Sequence, residues 1–387
     1  LLVEGRVDIS GDVSLNSSVT ITDRLVVSGV VSMNSNVDIS DNLYVNGDVS
    51  FQRNLDVSGR LLVDGNSFAG LRQDLNVLNN KDNIIVALGD VGSGTIAYSF
   101  DFGESWTIVP GSDSIFSLWA FTLDYNGSIW VAGGRGGNNV AYSYDGINWS
   151  AGGTPFVHSG RNIKYNSYLG YWVAGGQGGE DIEFSYDGIN WTPHPGGNID
   201  GVTSIRGYHF NETRHVISTT GTNTLLYSDD LINWNVIDSQ TFYQNGRTVL
   251  WTGRRWITGG SKGTGSGTIF YSNDGISWFD ASNASSLTQT SQTVFSTTCN
   301  KMAYNGTMIV AVGNGTNSIA YSSDHGLSFT GISITGMPTG FAVEWCGTRW
   351  IVGGNTNQMY LSNDGINWTQ VVNPPFNSIC YEVKWNR

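Results

Sequence analysis

Seven times along the chain a short motif returns, beginning with Ser99-Phe-Asp101-Phe-Gly103-Glu-Ser-Trp106, Ser143-Tyr-Asp145-Gly-Ile-Asn-Trp149 and Ser185-Tyr-Asp187-Gly-Ile-Asn-Trp191. It continues as Ser228-Asp-Asp230-Leu-Ile-Asn-Trp234, Ser272-Asn-Asp274-Gly-Ile-Ser-Trp278, Ser322-Ser-Asp324-His-Gly-Leu-Ser-Phe329 and Ser362-Asn-Asp364-Gly-Ile-Asn-Trp368. The aspartates stand 44, 42, 43, 44, 50 and 40 residues apart. A period of this length is that of a four-stranded sheet repeated around a ring, the blade of a β-propeller.

Other features recur in step. Upstream of the motif runs an apolar strand ending in glycine, as in Trp130-Val-Ala-Gly-Gly134, Trp172-Val-Ala-Gly-Gly176, Trp256-Ile-Thr-Gly-Gly260 and Trp350-Ile-Val-Gly-Gly354. Before that comes a strand with an aromatic near its end, such as Ile163-Lys-Tyr165, Val249-Leu-Trp251 and Val343-Glu-Trp345. The spacing therefore predicts seven four-stranded blades over residues 84–387. After the last motif, Ile379-Cys-Tyr-Glu-Val383-Lys-Trp385 reads as one more first strand with no second strand to follow it. Such a strand has a place if it closes the ring as the innermost strand of the first blade, which removes two open sheet edges.

Residues 1–70 follow a different period. Gly11, Gly29, Gly47 and Gly65 are each 18 residues apart, and the repeat divides into sixes with apolar third and fifth positions, as in Val13/Leu15, Val19/Ile21 and Leu25/Val27. Strict alternation is a strand signal, and a unit with one apolar edge cannot bury it alone. It must coil on itself as a three-sided β-helix or intertwine with two other copies. A core of about three and a half turns is thin, so the reading favours a homotrimer through this stalk. Residues 71–83 are left as a linker. The fold class is thus all-β, a trimeric β-helical stalk followed by a seven-bladed propeller.

Bulk properties narrow the partners. The net charge of −13 repels phosphate backbones and anionic headgroups, so nucleic acid and membrane surfaces are excluded as expected partners. No apolar run reaches the roughly 18 residues that span a bilayer. The opening Leu1-Leu2-Val3 is no signal peptide and reads as the start of a fragment or processed chain. Cys299, Cys346 and Cys380 are odd in number and lie in apolar stretches, the pattern of buried thiols. The five histidines lack metal-ligand spacing, so neither a metal nor a cofactor is expected.

The heptads resemble the Asp box, or BNR repeat, of sialidase-like and xyloglucanase-like propellers, whose pattern is Ser-x-Asp-x-Gly-x-x-Trp. The copies at Ser99 and Ser322 have that length, with Phe329 in place of the Trp, and the other five are one residue shorter. The resemblance implies a structural clip in the hairpin between the third and fourth strands. The side chains of Asp and Ser hydrogen-bond nearby backbone N–H groups there, so the seven aspartates are expected to be structural rather than catalytic. The sialidase members are six-bladed and carry an Arg-Ile-Pro motif, whereas no Arg-x-Pro occurs in this chain. The stalk repeats resemble the shaft repeats of phage and large-virus fibre proteins, which are usually homotrimers.

Recognition is expected in the loops that vary while the scaffold repeats. The candidate ligand-binding residues are Arg135, His158, Arg161, Glu180, Asp181, His194 and Lys262, with a long insert at 280–298. The expected function is a virion-associated fibre or surface adhesion protein, on the virion surface or otherwise extracellular. Its head would bind a host or surface ligand, a glycan or receptor, without catalysis. The alternatives are a polysaccharide-active glycoside hydrolase and, third, a propeller scaffold for protein interactions.

Overall fold

The computed structural model divides into two compact units, Leu1–Asn79 and Asn80–Arg387. In the first unit it describes nine short strands between Leu2 and Phe51, with residues 10–12 and 28. In the second it describes residues 83–386 apart from 91, 93, 179–180, 238–241, 264–266 and 282–293. Most of the expected linker, most of the long insert and the candidate Glu180 lie outside the described residues.

The strands of the first unit form three parallel three-stranded sheets, each strand pairing with the one 18 residues on. Val31 pairs with both Val13 and Val49, and Leu25 with both Val7 and Leu43. The coil thereby stacks apolar positions on apolar positions at every turn.

Among the described residues the second unit contains seven four-stranded antiparallel blades, three of them separate sheets and four joined edge to edge by the single pairs Gln177–Ser204, Thr220–Asn245 and Ser261–Thr298. Blade 1 takes its innermost strand, Cys380–Trp385, from the end of the chain and its other three from Ile85–Gly89, Ile96–Ser99 and Thr107–Ile108. The innermost strands of blades 2 to 7 are Phe116–Tyr125, Ser159–Asn166, Val202–Phe210, Phe242–Trp251, Thr298–Tyr304 and Gly340–Trp345. Each packs beside the next, and Cys380–Trp385 packs against both the blade 7 and the blade 2 strand, so the cycle closes. This is a seven-bladed β-propeller closed by the C-terminal strand.

Local chemistry explains why the repeat takes this shape. The second strands open on Trp130, Trp172, Trp256 and Trp350, each no more than 1% exposed and wedged between neighbouring sheets. Burial of an indole removes about 150–250 Å² from water, roughly 4–6 kcal/mol as an upper bound. The glycines that end these strands have a steric cause. A Cβ on Gly176 would meet the Phe156 ring at 2.0 Å, and one on Gly134 would meet Phe116 at 2.5 Å.

All seven heptads form the same turn. In each, the Ser hydroxyl donates to the Asp carboxylate at 2.7–3.0 Å. The carboxylate also accepts backbone N–H groups two to four residues on, as from Ile276 and Ser277 to Asp274, both at 2.8 Å. The two longer copies keep this pattern by placing the extra residue, Phe102 (φ 57°) or His325 (φ 58°), in the left-handed region ahead of the glycine. In the first two copies the Trp indole N–H also closes the loop, from Trp106 to the Gly103 carbonyl and from Trp149 to the Gly146 carbonyl, each at 3.0 Å, whereas the indole N–H groups of Trp191, Trp234, Trp278 and Trp368 have no partner among the described residues.

Candidate functional site at the channel mouth

Each innermost strand carries a β-bulge at the same level, where one residue has no partner on the second strand. A bulge turns its extra side chain out of the alternation of the strand. Three of the extra residues are aromatic, Phe121, Phe341 and Tyr381, and four are polar, Arg161, Arg206, Arg247 and Asn300. Together with Lys301 they line one cavity of about 280 Å³ at the propeller axis. Antiparallel strand order puts this mouth toward the loops between second and third strands, and puts the Ser/Asp turns on the opposite face.

The mouth is divided chemically. Phe121 and Phe341 each meet Tyr381 edge to face, with ring centroids 5.3 and 5.6 Å away, and Trp119 extends the arc 6.0 Å beyond Phe121. Across from this arc, blades 3, 4 and 5 present three guanidiniums. Arg161 lies over the Phe121 ring at 3.8 Å and donates to Ser159 and Gln177 at 2.9 and 3.3 Å. Arg206 donates to Thr220 at 2.8 Å. Arg247 buries its Nε without a hydrogen-bond partner among the described residues. Among those residues, no carboxylate forms an ion pair with any of the three.

Burial, followed by the charge of Arg135 and then of Arg247, pushes the Arg161 guanidinium down to about 10, with Tyr381 opposing. Burial and then Arg247 and Arg161 push Arg206 down to about 9. Burial lowers Arg247 as well. A guanidinium does not give up its proton in a protein, so the downward push reflects the burial of three charged groups and, for Arg161 and Arg206, repulsion from neighbouring arginines.

Below the mouth a second cavity of about 400 Å³ continues along the axis. Arg206 and Arg247 reach into it as well. Asp124 receives Lys164 at 3.7 Å and Lys384 at 3.6 Å, Lys384 also meets Glu344 at 3.2 Å, and Lys301 pairs with Glu382. Three lysines thus face three carboxylates. His209 lines the same cavity and is held neutral at ordinary pH, because burial and then Lys164 push it down to about 3.

The residues singled out from the sequence are scattered. Arg161 stands in the mouth. Arg135 and His158 line a neighbouring depression of about 510 Å³, where the Arg135 guanidinium lies 5.5 Å from the Trp119 ring. Asp181 is buried and accepts the Ile199 N–H at 3.1 Å, which holds the turn before blade 4. His194 accepts the Gly196 N–H at 3.2 Å and packs edge to face on Phe184, and Lys262 is exposed at the end of a second strand in blade 5. Sequence reasoning missed Arg206, Arg247, Asn300 and the aromatic arc. A signal for them existed: each mouth residue stands four positions before an aromatic at or next to the end of its strand, as Arg206 before Phe210 and Arg247 before Trp251.

No protein-family model and no curated protein matches the sequence. Among solved structures, the GH74 enzyme of Niastella koreensis is similar at 16% identity and a TM-score of 0.49, over 66% of this chain and 38% of that one. The chain therefore spans well under half of that enzyme's length. A chain of the nidogen/laminin complex is similar at 10% identity and a TM-score of 0.48, over 79% of this chain and 98% of that one. The computationally designed Ika8 protein follows at 11% identity and a TM-score of 0.41, over 64% and 71%. The propeller assignment rests on the chain's own strand pairing.

Proposed function

We propose that this chain is an Asp-box fibre protein of a virion or other extracellular surface, whose propeller head holds a surface glycan at the channel mouth without cleaving it. The observation that carries this reading is the ring of bulge residues. Seven equivalent backbone positions give an aromatic arc facing a polar arc, which is the pairing a sugar needs: a flat apolar face for its C–H side and donors for its oxygens. In the channel beneath the mouth Glu382 and Asp124 are each engaged by lysine, and Asp90, beside Tyr381, accepts the Ile379 N–H at 3.0 Å, an arrangement suited to holding the channel together rather than to acid–base work. The stalk serves presentation. As a homotrimer it would display three mouths together, so weak single contacts become retention through effective concentration.

The test compares the full chain with residues 81–387 alone on glycan-coated surfaces, with light scattering for stoichiometry and product analysis of the bound glycan. A trimer that is retained more strongly than the isolated head and leaves the glycan unchanged supports adhesion. A monomeric full chain removes the avidity argument. Released sugar abolished by one carboxylate substitution moves the protein to the hydrolases.

A further inference from the structure

The arrangement of charge along the axis goes further than a generic sugar site. In a chain of net charge −13, the mouth concentrates three guanidiniums from adjacent blades, and their hydrogen bonds within the described residues go only to neutral groups, Ser159, Gln177 and Thr220. In the cavity directly beneath, which Arg206 and Arg247 also line, the three carboxylates are taken up by three lysines, so none is left over to offset the guanidiniums. The buried Arg247 Nε has no partner there. Elsewhere in the head the Arg255 donors are taken up by Asn273 and the Asp324 and His325 carbonyls, and two other arginines have carboxylate partners. Arg214 pairs with Asp229 at 2.8 Å, and Arg349 with Glu104 at 2.8 Å.

We infer that the mouth takes an oxyanion carried on a ring, with the anionic group held by Arg161, Arg206 and Arg247 and the ring against Phe121, Tyr381 and Phe341. The inference rests on the glycan reading above and names its class: an acidic sugar bearing carboxylate, sulfate or phosphate. A planar guanidinium supplies paired donors that match an oxyanion, and charge-assisted bonds of this kind are about twice as strong as neutral ones. Three such groups converging without a protein carboxylate also steer anions toward the axis against the negative field of the rest of the head.

The experiment uses the full chain with dextran, polygalacturonate and dextran sulfate as surfaces, and with inorganic sulfate and acetate as free probes. The expected result is retention on the two acidic polymers and none on dextran, weakened as salt rises from about 50 to about 500 mM. Arg206→Gln and Arg247→Gln should each lower affinity about tenfold or more. Arg206→Lys, which keeps the charge but not the fork, should fall between, and it keeps the test readable if a Gln variant folds poorly. Arg254→Gln, an equal charge change in an exposed hairpin between first and second strands on the opposite face, should have no effect. Equal binding to dextran, or indifference to both Gln variants, overturns the acidic class while leaving sugar binding in place. Arginine-dependent binding of free sulfate without binding of any polymer keeps the anion site and overturns the glycan reading.

Discussion

The two faces of the propeller use repetition in opposite ways. On one face, seven hairpins keep the same Ser and Asp and the hydrogen bond between them, even where Leu231 (φ 62°) occupies the left-handed position that glycine fills elsewhere. At the other, seven bulges keep the same backbone position while the side chains differ: aromatic in blades 7, 1 and 2, arginine in 3, 4 and 5, asparagine in 6. Equivalent positions with equal residues answer a need of every blade, the capping of backbone groups in a tight turn. Equivalent positions with unequal residues answer something outside the ring.

The largest effect should come from cutting across both faces. Deleting residues 378–387 removes the innermost strand of blade 1, with Tyr381 and the lysine–carboxylate contacts of Glu382 and Lys384. The head should lose its cooperative melt and expose sheet edges that aggregate. If the truncated head melts like the intact one, closure by this strand is not what stabilises the ring.

Acid should separate the faces next. Every heptad aspartate titrates below the ordinary carboxylate range. For Asp274, slight burial pushes upward, but the N–H groups of Ile276 and Ser277 and the Ser272 and Ser277 hydroxyls outweigh it and bring the carboxyl to about 2. A group with a depressed folded pKa contributes stability above its unfolded value, near 3.9, and loses it as pH falls through the folded value. Thermal stability should therefore be level above about pH 5 and fall between about pH 4 and pH 2. Melting that is already falling between pH 7 and pH 5 would point to other groups.

Single residues give smaller effects. Gly365 sits at φ 72° with the Met308 sulfur 2.7 Å from where a Cβ would stand, so Gly365→Ala should cost about 1–3 kcal/mol in denaturant unfolding. Asp274→Ala, which removes one of seven clips on an exposed turn, should cost about 1 kcal/mol. Smallest of all in stability is Phe341→Ala, since this side chain is only half-buried at the mouth, yet it should weaken glycan retention several-fold. A larger loss of stability than of binding would make the aromatic arc part of the core.

The scaffold was legible because its causes are local. The turn needs its Ser, Asp and Gly within a few residues, and the Gly-Gly strand ends are required by rings such as Phe156 and Phe116 lying on them. The closing strand was legible as a first strand without a successor. The mouth was not, apart from Arg161, because it depends on bulges. Read by strict alternation, Arg206 belongs with Tyr208 and Phe210, but the register shift between Ile205 and Gly207 sets it apart from them. Nor does any local pattern show that blades 3, 4 and 5 bring their arginines to one cavity; that follows only from ring closure.

The most direct measurement is a paired one: melting temperature and glycan retention of the full chain carrying either Arg206→Gln with Arg247→Gln, or Asp187→Ala with Asp274→Ala. The mouth pair should lose retention and keep its melting temperature, and the turn pair should melt several degrees lower and keep retention once folded. Retention lost in the turn pair with melting unchanged, or kept in the mouth pair, would contradict the division of labour between the two faces.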